Sequence, residues 1–236
     1  MLVWERPEPP SKPTPSPLSR EKIVRAAITL ADADGLVAVS FRKVAAELNA
    51  GPMRLYGYVE TKDELLDLMV DAVYGEISPP QPGDGWRSAL QTVARSLRQA
   101  ALRHDWFSDL LGGRPHMGPN ALAFTEASLV ALDGAPEFDH IDDVMGAVGT
   151  VRGYVIGAVR NEISEARAER ASGMNERQWQ TASGPYIERM LATGRFPMLA
   201  RVVHEATHPD ADTVFEGGLE LILDGIEARL TKRSPG

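Results

Sequence analysis

The 236-residue chain has no cysteine, which excludes disulfides and thiolate metal sites and accords with a reducing cytoplasm. Strand-like alternation is almost missing, so the expected class is all-α. No apolar run is long and clean enough for a membrane helix: the most apolar stretch, around residues 144–159, is broken by Arg152 and preceded by Asp143. There is no phosphate-cradling glycine loop, and His104 and His140 stand isolated, so no catalytic triad is legible. Nor is there an excess of basic charge. The net charge of −8 counts against a nucleic-acid partner when averaged over the chain, because such affinity comes largely from Lys and Arg neutralising phosphates. The distribution weakens that objection, since residues 1–65 hold nine Lys/Arg and nine Asp/Glu, against sixteen and twenty-four in residues 66–236.

What is present is concentrated between Ser40 and Leu66. Phe41, Val44, Ala45 and Leu48 mark one buried helical face, with Ser40 before them as N-cap. Arg42, Lys43 and Glu47 face water. In Asn49-Ala50-Gly51-Pro52, Asn and Gly tolerate left-handed backbone and Pro suits the first position of a helix, so one helix stops and another starts within about four residues. Leu55 and Val59 continue the inward spacing and leave Met53, Arg54, Tyr56, Gly57 and Tyr58 on the outer surface. Thr61 to Glu64 reads as a capping box that opens a further helix with Lys62 in its first turn, where an ammonium and free N–H groups suit a phosphate.

A helix about 10–12 Å across fits the major groove of DNA. There Arg pairs with guanine O6 and N7, while Lys and Tyr hydroxyls grip phosphates. Gly57 permits close approach, and Ser40 and Lys43 join the set expected to face DNA. An ordinary helical corner with solvated Arg and Tyr fits the same periodicity.

The resemblance is more specific than the periodicity. Ser19 to Ala27 at a helix start, Phe41-Arg-Lys-Val-Ala-Ala-Glu-Leu, Leu55-Tyr56 with Tyr58-Val59, and Lys62-Asp-Glu-Leu-Leu together resemble the N-terminal domain of the tetracycline-repressor (TetR) family. The match covers about the first third of the chain. It implies a dimeric, ligand-responsive repressor of a double-stranded DNA operator, and it assigns operator contact to Arg42, Met53, Arg54, Tyr56, Gly57, Tyr58 and Lys62. Asn49 stands where members often carry Gly, and Pro52 to Arg54 depart from their usual Ser, Thr or Gln, so no half-site sequence can be borrowed.

Three segments are expected. Residues 1–18 carry six prolines and no apolar run, which reads as a disordered arm rather than a signal peptide; through Arg6 and Lys12 it could reach a minor groove, or it could be a passive tail. Residues 19–66 form the helix-turn-helix DNA-binding domain. Residues 67–232, beyond the linker at Ser78-Pro-Pro-Gln-Pro-Gly-Asp-Gly, form a helical ligand-binding and dimerisation domain. Its helices are expected near 86–105, 119–132, 140–171, 175–193, 198–207 and 212–232.

Two of these helices suit self-association. One spaces Gly146, Gly149, Gly153 and Gly157 three and four apart among Val144, Val148, Val151 and Val155, so bare backbone flanked by branched groups is expected. The last has an apolar stripe of Phe215, Leu219, Ile222 and Ile226 and a second of Val214, Gly218, Leu221 and Gly225; apolar on two sides, it should be buried on two sides. An intrachain core satisfies that, and so does the four-helix dimer interface that the resemblance implies.

The resemblance also implies a small-molecule pocket. Its candidate lining is Leu97, Trp106, Phe107, Met117, Phe124, Tyr154 and Trp179, with Arg152, His116 and Asn161 as polar anchors. Where drug-binding members carry the histidine that holds the drug's magnesium, a gapless alignment places Leu110, which argues against a tetracycline–magnesium effector. No cofactor or resident metal is expected. The rival reading is His204-Glu205-Ala206-Thr207-His208, a literal HExxH. On one continuous helix its histidines would share a face and could bind zinc as in a hydrolase, with Glu227 as a third ligand. Pro209 weighs against this by pushing His208 out of helical geometry.

Overall fold

A computed structural model describes residues 2–10, 18–81 and 83–233. Among the described residues it has eleven α-helices and no strand: α1 Arg20–Asp34, α2 Phe41–Glu47, α3 Pro52–Leu55, α4 Lys62–Tyr74, α5 Trp86–Arg103, α6 Phe107–Leu110, α7 Pro119–Val130, α8 Ile141–Ser172, α9 Glu176–Leu191, α10 Pro197–Glu205 and α11 Ala211–Arg233.

Local chemistry sets the first of these. The Ser19 hydroxyl accepts from the Lys22 N–H at 3.2 Å and starts α1, and Gly35, at φ +75°, ends it. Ile23, Ala26 and Ala27 of α1 pack with Val44 and Ala45 of α2 and Leu65 and Met69 of α4 around a closed apolar centre. Asn49 adopts φ +50°, and Pro52 is the first residue of α3, so the turn forms for the reasons its residue types suggest. Helix α4 continues past Leu66 to Tyr74 and carries the N-terminal unit into the body without a break.

The arm departs from expectation. At residues 3–5 it makes a short 3-10 turn, and Val3 is buried. Hydrophobic burial there combines with an Arg6 that finds two carboxylates, which proline content alone did not anticipate. Lys12 lies outside the described residues.

In the body α8 is the spine. Leu90, Val93, Leu97 and Ala101 of α5 are fully buried, and they meet the Val144, Val148, Val151 and Val155 side of α8. Helix α11 closes on both through Phe215, Leu219 and Leu223. Its polar edge is tied to α5 by Arg95 to Glu216 at 2.7 Å, and by Arg87 to Glu220 at 2.6 Å and to Asp224 at 2.5 Å.

Hydrogen bonds from Arg95 and Arg87 hold the Glu216 and Glu220 carboxyls below the usual carboxylate range. Their folded pKa values therefore lie below the unfolded ones, so this stabilisation is present at neutral pH and is lost as pH falls through the lowered values, from about pH 5 downward. Asp67 and Asp71, which burial pushes up, act in the opposite sense. Melting temperature should therefore fall less on acidification in an Arg87→Ala/Arg95→Ala variant than in the parent; identical pH profiles by circular dichroism would contradict this account.

Candidate DNA-contacting face and effector cavity

Helix α3 is one turn long. It was expected to continue to Val59, but it closes at Leu55, and the N–H groups of Tyr58 and Val59 both turn back to the Leu55 carbonyl at 2.9 and 3.0 Å. Gly57 disfavours continuation, and the chain must straighten before Thr61 caps α4. Met53, Arg54, Tyr56 and Gly57 stand on the surface as read. Tyr58 does not: it is 8% exposed, because once the helix stops its 3.6-residue phase no longer applies. Its carbonyl accepts from Arg20 Nε at 3.2 Å. Tyr56 stacks on Phe41, with ring centroids 4.5 Å apart, and so projects from a supported base.

Around α3, the Ser40 hydroxyl accepts from the Lys43 N–H at 3.3 Å as the N-cap of α2, and Arg42 and Lys43 are exposed. Lys62 is exposed at the start of α4, its Nζ 3.5 Å from the Leu36 carbonyl. The capping box is half formed. Thr61 accepts from the Glu64 N–H at 3.1 Å, but the Glu64 carboxylate takes the Glu60 N–H at 2.8 Å and the Arg6 guanidinium at 2.7 and 3.1 Å. The Arg6 bond holds the Glu64 carboxyl below the usual range.

The candidate effector residues separate. His116 and Arg152 line a cavity of about 330 Å³ together with Tyr74, Leu122, Thr125, Leu129, Met145 and Val148. Tyr74, which the sequence reading missed, is the last residue of α4; its hydroxyl lies 3.5 Å from an Arg152 nitrogen, and burial pushes it above its ordinary range. The signal for it was a lone tyrosine ending an apolar helix. Phe124 is buried against Tyr74, with centroids 5.8 Å apart. The Leu110 carbonyl accepts from His116 Nε2 at 3.1 Å.

The rest lie elsewhere. Leu97, Trp106 and Phe107 are fully buried in the core. Tyr154 stacks on Phe215 of α11 at 5.5 Å. Met117, Asn161 and Trp179 are exposed.

Two junctions tie the body to the N-terminal unit. Asp71 of α4 is buried and accepts the Ala121 N–H of α7 at 2.9 Å and the Asn120 amide at 3.1 Å. A methyl group at Gly118 would collide with that carboxylate. His104, far from isolated, is buried with Nδ1 2.7 Å from Asp32 of α1 and Nε2 3.2 Å from Glu76, while Trp106 Nε1 donates to the same Asp32 oxygen at 2.6 Å.

The glycine stripe also needs correction. Val144, Val148, Val151 and Val155 do not flank it; they are buried on the opposite side of α8, whereas Gly146, Gly149, Gly153 and Gly157 are open. A methyl group at any of the four would meet nothing within 4 Å. Val214 and Leu221 are 57% and 75% exposed, and Gly225 is open. Gly218 is instead filled by the Tyr154 ring, which leaves no room for a methyl group.

The HExxH does not form a zinc-binding face. Helix α10 ends at Glu205, Ala206 is extended, and His208 takes φ +46°, so His204 and His208 share no helical turn. Glu227 is held by Arg87 at 3.1 Å.

The profile of the family described as "Tetracyclin repressor-like, C-terminal domain" matches residues 79–230. The chain is 38% identical over 234 residues to the HTH-type transcriptional repressor DrrR1 of Streptomyces coeruleorubidus, covering 98% of this chain and 86% of that protein. It is 27% identical over 220 residues to the class D tetracycline repressor protein of Escherichia coli, covering 91% of each. Among solved structures it resembles the Streptomyces coelicolor TetR family protein ActR in complex with actinorhodin, with a TM-score of 0.74 and 31% identity over 90% of this chain and 97% of that one.

Proposed function

Because the chain belongs to the tetracycline-repressor (TetR) family, we propose that it is a ligand-responsive transcriptional repressor that binds a palindromic DNA operator as a homodimer, in the cytoplasm, without catalysing a reaction. The observation that carries the reading is the continuity of α4: Lys62 begins the helix beside the DNA-facing turn, and Tyr74 ends it in the wall of the cavity. Thirteen helical residues span about 20 Å as one rigid rod. A molecule that displaces Tyr74 or α7 therefore moves Lys62 and, through the closed N-terminal core, α3. Two copies set a pair of α3 turns against successive major grooves only when their spacing is near one DNA turn, about 34 Å, so a small tilt of α4 releases the operator.

The cavity's walls indicate the effector class. Leu122, Leu129, Met145 and Val148 suit an apolar body, and Arg152, His116 and Tyr74 gather at one side. We assign an apolar, oxygen-bearing molecule whose acidic or acceptor group meets Arg152; the actinorhodin complex of ActR supports a small-molecule site in this fold. The DNA half is tested by selecting bound fragments from genomic DNA and footprinting them, where absence of enrichment over random fragments defeats the proposal. For the effector half, Arg152→Ala should leave operator affinity intact and weaken effector-induced release by about 10- to 150-fold, the value of a charged hydrogen bond of roughly 1.5–3 kcal/mol. Native mass spectrometry should find a co-purifying ligand in the parent and not in the variant; equal retention moves the anchor elsewhere.

A further inference from the structure

We propose that the N-terminal arm is part of the operator-binding machinery without touching DNA: Arg6 offsets one of the two negative charges of Glu60 and Glu64 at the corner where Lys62 meets phosphate, and holds the turn after α3 in place. This rests on the reading of α3 and Lys62 as the DNA-contacting face.

Several contacts place the arm. The Arg6 guanidinium pairs with Glu60 at 2.9 Å and Glu64 at 2.7 Å, and its side chain is 18% exposed, so it is committed inward and is not available to a minor groove. The Arg6 carbonyl accepts from Arg20 at 3.0 Å, and the same Arg20 holds the Tyr58 carbonyl at 3.2 Å. One guanidinium from α1 thus fastens the arm and the turn after α3 together. Pro9 lies against Gly57: a methyl group there would meet the Pro9 ring at 3.5 Å. Val3, 3% exposed, anchors the far end of the arm in the core.

The electrostatics give this placement a purpose. Lys62 is flanked by Glu60, Asp63 and Glu64, an unfavourable setting for a polyanion, since like charges within about a Debye length of 8–10 Å repel. With Arg6 seated, the corner holds two cations against three carboxylates; without it, Lys62 stands alone among them. The Glu64 carboxylate cannot simply be dispensed with, because it also satisfies the Glu60 N–H in the approach to α4. Arg6 lets the chain keep that bond while lowering by one the negative charge that the corner presents to the duplex.

Operator titrations at several salt concentrations, on full-length protein with folding and oligomeric state verified, test this. Arg6→Ala should weaken operator binding by about tenfold or more at low salt, with the loss shrinking as salt screens the exposed carboxylates, whereas Lys62→Ala should reduce the slope of log affinity against log salt by about one per lost phosphate contact. Arg6→Ala/Glu64→Gln should recover most of the loss, because glutamine still accepts the Glu60 N–H but carries no charge. Failure of Glu64→Gln to rescue a folded Arg6→Ala protein means that Arg6 itself grips phosphate or acts by another route, and overturns the proposal. Arg54→Ala, run in parallel, separates the cases: normal binding by that variant sinks the assignment of the reading helix, whereas normal binding by Arg6→Ala alone sinks only the role of the arm.

Discussion

Arg54→Ala should abolish specific operator binding while the fold and dimer persist. Arg54 is exposed on α3 and its side chain makes no hydrogen bond or ion pair among the described residues, so its removal leaves no buried group unsatisfied and opens no cavity. Neighbouring Leu55 and Val59, both fully buried, keep the turn anchored. A good bidentate Arg–guanine pair discriminates by about 1–3 kcal/mol, and a homodimer carries it twice. The combined loss of roughly 2–6 kcal/mol corresponds to about 30-fold up to 10⁴-fold in affinity. Binding to random-sequence DNA should change much less, because phosphate contacts from Lys62 and Lys43 remain. Fluorescence anisotropy on a footprinted fragment and a scrambled one reads both quantities; a variant with parental specificity would show that another element reads the bases.

Gly153→Glu should convert the dimer to a monomer and remove operator binding with it. Within one chain a side chain at this position meets nothing within 4 Å, and replacing a helical glycine favours α8 by up to about 1 kcal/mol, so the isolated subunit has no reason to unfold. In a four-helix interface the same position would bring a carboxylate into close backbone contact with the second copy, an unpaired buried charge at a cost of several kcal/mol. Leu221→Glu, on the open side of α11, should act alike. Native mass spectrometry reads the assembly and circular dichroism the fold. A dimer that survives both substitutions would move the interface away from α8 and α11, for instance to the open apolar side chains Trp179, Tyr186, Met198 and Val202 of α9 and α10.

Local rules carried well where one element decides one outcome. Ser19 and Ser40 cap, Gly35 and Asn49 adopt positive φ, Pro52 opens α3, and the Leu90–Ala101 stripe is buried. They failed where the outcome depends on a distant partner. Tyr58 was read as exposed by extending a helical phase that ends three residues earlier, and His104 as isolated because Asp32 and Glu76 are 72 and 28 residues away in sequence. Trp106 looked like a ligand-binding aromatic and is a core side chain bonded to Asp32.

The amino-acid sequence by itself determined the all-helical class, the helix-turn-helix and its surface-pointing Arg54, and the bare glycine side of α8, because periodicity, caps and turn residues act over a few residues and compete with nothing remote. Only the tertiary structure decided that His116 and Arg152 meet Tyr74 in one cavity, that the valines of α8 oppose its glycines, and that the proline-rich arm is fastened beside the start of α4 through Arg6. Those outcomes depend on which side chains from separate segments find burial or a counter-charge together, and three-dimensional packing alone makes that choice.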